Sequence, residues 1–362
     1  MIWLTWRQFH TRAVIAMAAL IAFAVLMGIT GTLLVSQFGG GSIATCQPPS
    51  DCTAAADDFL QKLMGSSALA DSSVTGTGTY WLLFLLGIFT VLIVPALLGM
   101  FWGAPLIAGE LEAGTHYLVW NQSITRSRWL AVKLTLIGLT AMAFTESLSL
   151  IWAWWATPIS QAVASGAVAT PLAMNQFSPL VFATHGITPL GYAAFAFALG
   201  ITAGVLVRRA VPAMALTLAV FAVLQIAVPL WVRPGLFPAD HSVSALSSFV
   251  ALDVPIESGT FTVIPSGWDG HYEDWILSTR AVDAAGNPVS LLPQDCLQGQ
   301  QTGKASHLPL LDCLASHGVR VALTYQPSSR YWAFQGTEAA IYIVLALTLA
   351  GFCFWRLNRR LT

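Results

Sequence analysis

Charge is scarce in this sequence. Lys and Arg total 16 and Asp and Glu 17, or 9% of the 362 residues, where ordinary soluble proteins carry about 25%. So little charge cannot cover a soluble surface of this size, and a polytopic membrane protein is the class that fits. The net charge of -1 leaves no basic stripe to neutralise phosphates, which excludes nucleic acid as a partner. Catalytic signatures are missing too: no Ser-His-Asp or Cys-His set has a motif around it. The nearest approach to a phosphate loop, Gly299 to Ala305, is one residue short between its glycines. It also lacks the Ser or Thr that should follow Lys304. Inside the apolar stretches, ionisable side chains almost vanish. Glu146 is clearly within one, and Glu338 is near the outer end of the last. Ion-coupled carriers usually place several such groups at mid-membrane.

What is present is hydrophobicity, at 56% of residues with mean hydropathy +0.69. A helix crosses the hydrocarbon core with about 20 apolar residues. Six segments qualify: 13–35, 80–104, 130–156, 187–207, 211–232 and 333–355. The first is too long, and its following region too poor a cleavage site, for a signal peptide. The expected fold is all-α, with six transmembrane helices. An N-terminal interfacial helix over 1–12 and a small α+β extracytoplasmic domain over 233–332 complete it.

Arg12, Arg126, Arg128, Lys133, Arg208, Arg209 and Arg356 all fall on one side of this topology. The excess of basic residues predicts that side to be cytoplasmic. Both termini, 105–129, 208–210 and the tail 356–362 are then cytoplasmic, in a multi-pass protein of the plasma membrane. The segments 36–79 and 157–186 are external loops. Pro158, Pro171 and Pro179 should forbid a long helix in the second. Within 233–332, the stretches 260–264, 275–282 and 319–325 read as strands and 307–316 as a helix.

Five cysteines suit that topology. Cys46 and Cys52 share one external loop and Cys296 and Cys313 another, which suggests two disulfides in an oxidising exterior. Cys353 lies in the last span. A zinc site of Cys313, His307 and His317 matches no usual ligand spacing, and Asp269, His271, Glu273 and Asp274 read as turn residues. No metal is expected.

The polar segment 105–129 says most about function. It places Glu110, Leu111 and Glu112 before Gly114, Thr115 and His116, and then Arg126 and Arg128 at the re-entry into the membrane. A short acidic helix, a glycine break and a basic return suit docking to a cytoplasmic partner. Glu110 and Glu112 are two apart, so they point to different sides of a helix.

Several longer stretches resemble a known family. They are Trp3-Leu4-Thr5-Trp6-Arg7-Gln8-Phe9, Phe101-Trp102-Gly103-Ala104-Pro105, Leu118-Val119-Trp120-Asn121-Gln122-Ser123 and Tyr325-Gln326-Pro327-Ser328-Ser329-Arg330-Tyr331-Trp332. The chain resembles the permease subunits of ABC-2 type transporters, those of actinobacterial exporters in particular. The resemblance implies a non-enzymatic permease in the lipid bilayer. It pairs with a second permease subunit, identical or related, and with two copies of a cytoplasmic ABC ATPase. ATP and Mg would be bound by that ATPase, and this chain would hold no cofactor. The resemblance also makes 107–119 the coupling helix, with Glu110, Leu111, Glu112, Gly114, Thr115 and His116 as the coupling residues. Many relatives carry an arginine shortly before the acidic residue, where this chain has Ala108-Gly109.

Apolar, Trp-rich spans favour a hydrophobic or amphipathic cargo: a drug, an antibiotic or a lipid. Glu146, Gln225 and Glu338 are the candidates for the path, with Gln225 a cross-helix partner for Glu146. Two alternatives stand beside the exporter. One is a proton-coupled secondary carrier working through Glu146. The other is a membrane-anchored protein that binds or assembles through its extracytoplasmic domain.

Overall fold

A computed structural model describes residues 2–46, 52–64, 79–112, 125–167, 172–246, 250–253, 262–265, 272–290, 293, 295–296 and 308–360. Six of its helices are long and apolar enough to cross a membrane. Helix α1 (Ile2–Gly40) is continuous. The expected N-terminal helix over 1–12 is continuous with span one, since no Gly or Pro precedes Gly28 to break the ladder. After the short α2 (Ser42–Thr45), helix α3 (Thr53–Met64) buries Ala56, Phe59, Leu60 and Leu63. Their spacing makes one helical face, which packs on the far ends of α1, α4 (Thr79–Leu98) and α6 (Arg126–Ala164).

Helix α4 passes through a π turn, Gly99–Gly103, into α5 (Ala104–Glu112). Span two therefore does not stop at 104. Helix α6 begins at an N-cap, the Thr125 hydroxyl accepting from Arg128 N–H at 3.4 Å. Span three, expected to end at 156 with Pro158 in the external loop, instead runs on as one helix through Pro158 to Ala164. In transmembrane helices, hydroxyl side chains and neighbouring helices tolerate the backbone group a proline frees. Here the stretch around Pro158 is held by neighbouring helices, with Trp155, Ala156, Ile159 and Ala162 buried against α1, α3 and α4.

Helix α7 (Pro179–Thr184) leads into α8 (Thr188–Val207), the most deeply buried span. Arg208, left-handed at φ 57°, closes α8, and its N–H bonds the Gly204 carbonyl. Helix α9 (Ala210–Ala227) starts two residues later and continues through a π turn, Val228–Val232, and a 3-10 turn, Arg233–Gly235. Its turns direct Arg233 inward while Trp231, 78% exposed, faces out.

The segment before the last span forms an antiparallel sheet of order β1 (Asp240–Ala245), β5 (Arg320–Gln326), β4 (Trp275–Val282). A two-stranded sheet pairs β2 (Val250–Asp253) with β3 (Thr262–Pro265). Helix α10 (Leu308–Ser316) packs on the larger sheet through Leu314. The pairs Cys46–Cys52 and Cys296–Cys313 are disulfide-bonded, and Cys353 is free and buried. Helix α11 (Tyr331–Arg360) ends the bundle. Sequence reading missed β1, a polar stretch with a weak strand signal, and β2, which is only four residues long.

Candidate functional site

At the end of the bundle away from the sheet, α5 is an extension of span two rather than a free loop. Ala104, Ile107 and Ala108 are fully buried, and they pack against α8 and α9. The approach is so close because glycines face each other. Gly99 and Gly103 meet Gly200 on α8, and Gly204 of α8, one turn on, meets Ala104 and Ala108, two four-residue spacings that let backbones touch. A Cβ on Gly204 would lie 2.6 Å from the Ala104 carbonyl oxygen, and one on Gly103 would lie 2.8 Å from that of Phe197. At its last residue, α5 reaches across to span five. The Glu112 carboxylate (Oε2) accepts from the Ala210 backbone N–H at 3.1 Å. The acceptor thus sits on the first turn of α9, where unpaired N–H groups and the helix dipole favour negative charge. Beside this joint, Arg12 donates to the Phe101 carbonyl at 3.4 Å, and the buried Lys133 lies 4.5 Å over the Trp129 ring. The side chains of Glu110 and Leu111, and all of Gly114, Thr115 and His116, lie outside the described residues.

Glu146 stands near the middle of α6. Gln225 is not its partner. The Gln225 amide oxygen accepts from the Tyr342 hydroxyl at 3.1 Å on α11, because α9 packs on α8 and α5 and reaches α11 through Tyr342 rather than packing on α6. One oxygen of Glu146 is buried with no protein partner, as are the Thr145 hydroxyl and the Trp152 indole nitrogen farther along the helix. Ser149, one turn on, donates to the Thr184 carbonyl at 2.8 Å. The next residue, His185, packs against Trp152 and bonds the Val181 carbonyl through Nδ1 at 2.9 Å. Burial pushes the His185 imidazole below its usual range, with the Val181 contact opposing. This polar seam between α6 and the α7–α8 turn lies within otherwise apolar packing.

The third constellation lies at the sheet end. Arg233 and Glu338 form a bidentate ion pair, Nε to Oε2 at 2.8 Å and Nη2 to Oε1 at 3.0 Å, with both side chains buried. Tyr192 donates to Glu338 Oε1 at 2.5 Å, and the guanidinium stacks 3.9 Å over Phe182. Gln335 completes the knot. Its amide oxygen accepts from Ile187 and Thr188 N–H, both at 3.1 Å, which caps α8 from 147 residues away. Its amide nitrogen donates to the Phe182 carbonyl and the Tyr331 hydroxyl. Phe177, Phe182, Phe237, Trp275, Tyr331 and Phe334 wrap the knot and join the sheet domain to the bundle. Glu338 is thus sealed in a pair rather than set on an open surface.

Of the sequence candidates, Gln225 and Glu338 come together through Tyr342 and Tyr192, whose rings meet edge to face at 4.7 Å. Glu146 and Glu112 each stand apart. Arg233, Tyr192, Gln335, Tyr342 and His185 were missed. Arg233 was read as a loop residue because it follows the apolar run. The signal for the others was a polar group inside or beside a span, which membranes tolerate only when it is paired. The sulfurs of Cys296 and Cys313 and a ring nitrogen of His317 lie within 4.8 Å of one another. The disulfide occupies both sulfurs, and His317 instead approaches Asp295 at 3.6 Å.

Six apolar helices, glycine-packed spans and polar groups knotted inside the bundle define a multi-pass membrane protein. The chain belongs to the family described as ABC-2 membrane transporter related, whose model matches residues 17–233. No curated protein and no solved structure matches it.

Proposed function

We propose that this chain is the permease subunit of an ABC exporter, with both termini and the Arg208 turn in the cytoplasm and the sheet domain outside. A separate ATPase supplies the energy, and the exporter assembles from two such ATPases and two permease subunits. The family match over most of the spans is the observation that carries this reading. The geometry supports it further. The helix of span two continues to Glu112, at the face where Arg12, Arg128, Arg208 and Arg209 gather.

Glu112 is occupied by the Ala210 N–H, so of the two acidic residues Glu110 is the one assigned to the ATPase contact, together with Leu111, Gly114, Thr115 and His116 as the resemblance implies. Glu146 is the polar point on the path of a hydrophobic or amphipathic cargo. A carboxyl at mid-membrane costs about 2.5–3.5 kcal/mol to insert, which supports a functional role for it.

Co-expression of the chain with a cytoplasmic ABC ATPase from the same genome tests this. The two should co-purify, and cargo should stimulate ATP hydrolysis. Glu110→Ala should weaken both while leaving the chain folded. A chain that purifies alone and moves cargo on a proton gradient through Glu146 would replace this reading.

A further inference from the structure

Span five is fastened at both ends by charged side chains from other spans. At the cytoplasmic end, its first residue Ala210 gives its N–H to Glu112, the last residue of α5. At the outer end, Arg233 is locked to Glu338 of α11 by two hydrogen bonds and to Phe182 by stacking. Between these ties the segment Ala210–Gly235 is one uninterrupted helical rod, π and 3-10 turns included. Beyond Arg233 the chain enters the sheet domain at once. Gln326 of β5 donates to the Phe237 carbonyl at 2.8 Å, Arg330 donates to the Pro238 carbonyl at 2.8 Å, and Arg330 pairs with Asp240 of β1 at 3.0 Å.

We infer that Ala210–Gly235 is a push rod, which carries displacement of α5 at the ATPase face to the extracytoplasmic sheet domain. The inference rests on the exporter reading and adds the route by which the outer domain responds to ATP. The unequal strength of the two ties fits this use. The Arg233–Glu338 tie is desolvated on all sides, so opening it leaves charges unpaired in a low-dielectric interior. It holds throughout the cycle. The Glu112 tie is a single exposed hydrogen bond to a helix start, so it transmits while α5 and α9 move together and yields under larger displacement. Glu112 is therefore a positioning residue for transport, and so are Arg233 and Glu338.

The test uses the full chain with its ATPase in lipid nanodiscs. Hydrogen exchange of β5 (Arg320–Gln326) is compared with and without ATP. The wild-type complex should show ATP-dependent exchange in β5. Glu112→Ala should weaken that response with the ATPase still bound, since the apolar packing of α5 on α9 remains, and Glu112→Gln, which keeps an acceptor, should restore it. Replacing Arg233 and Glu338 together by Ala should abolish the response. Replacing both by Met, which refills the space without charge, should retain it. A wild-type complex that binds ATPase and hydrolyses ATP with no change at β5 would overturn the rod. So would a full response in Glu112→Ala. Failure of the ATPase to bind the wild-type chain would instead overturn the exporter reading beneath it.

Discussion

Arg233 and Glu338, 105 residues apart in sequence, meet as a bidentate pair with no solvent access, at 2.8 and 3.0 Å. Removal of one partner leaves the other charge buried, which costs about 3–5 kcal/mol. Glu338→Ala and Arg233→Ala should each lose that much stability, read as a fall in thermal midpoint in detergent. Arg233→Met combined with Glu338→Met should recover most of it. Additive loss in the double variant would show that the pair is not the source.

The glycine seam makes a sharper packing prediction. Gly204→Val and Gly103→Val drive a side chain into backbone oxygens of the facing helix and should abolish folded, monodisperse protein. Gly351→Ala meets nothing within 4 Å and replaces the poorest common helix former except proline. It should leave stability equal or slightly higher. Size-exclusion profiles of the three variants decide this.

His185 sets a pH dependence. Its imidazole is held neutral by burial, with its folded pKa below the ordinary value. The unfolded chain therefore binds the proton more readily, and the neutral ring's contribution is complete only above its unfolded pKa of about 6.5. It fades as pH falls through the lower folded value. Thermal midpoints from pH 7.5 to 5 should fall more steeply for wild type than for His185→Gln. Parallel slopes would show that another group titrates.

Glu146→Gln keeps shape and most hydrogen-bonding capacity while removing charge. Assembly should persist and cargo preference or turnover should change. Glu146→Leu should assemble as well if the residue only lines the path. Wild-type transport in the Gln variant, with loss of folded protein in the Leu variant, would assign Glu146 to packing alone.

The six spans were legible because apolar runs of membrane length have one structural solution, a helix that satisfies its own backbone. The helical course of α6 beyond Pro158 was not legible. Proline is read as a stop in water, and the sequence carries no mark of the neighbouring helices that make it tolerable. The acidic pair at Glu110 and Glu112 stood out as a docking signal. The bond from Ala210 to Glu112 did not, since it joins residues 98 apart. Glu338 was visible as an intramembrane carboxylate. Its partner was hidden because Arg233 follows the apolar run by one residue, and only the turns at Val228–Val232 and Arg233–Gly235 bring it back into the bundle.

Transport by proteoliposomes tests the central claim most directly. The purified chain and the ABC ATPase that co-purifies with it are reconstituted together, with the cytoplasmic face outward, and a fluorescent amphipathic cargo is followed. Expected is cargo entry into the lumen that needs ATP, the ATPase and an intact Glu110. Cargo movement by the chain alone under a pH gradient, indifferent to ATP, would contradict the exporter assignment.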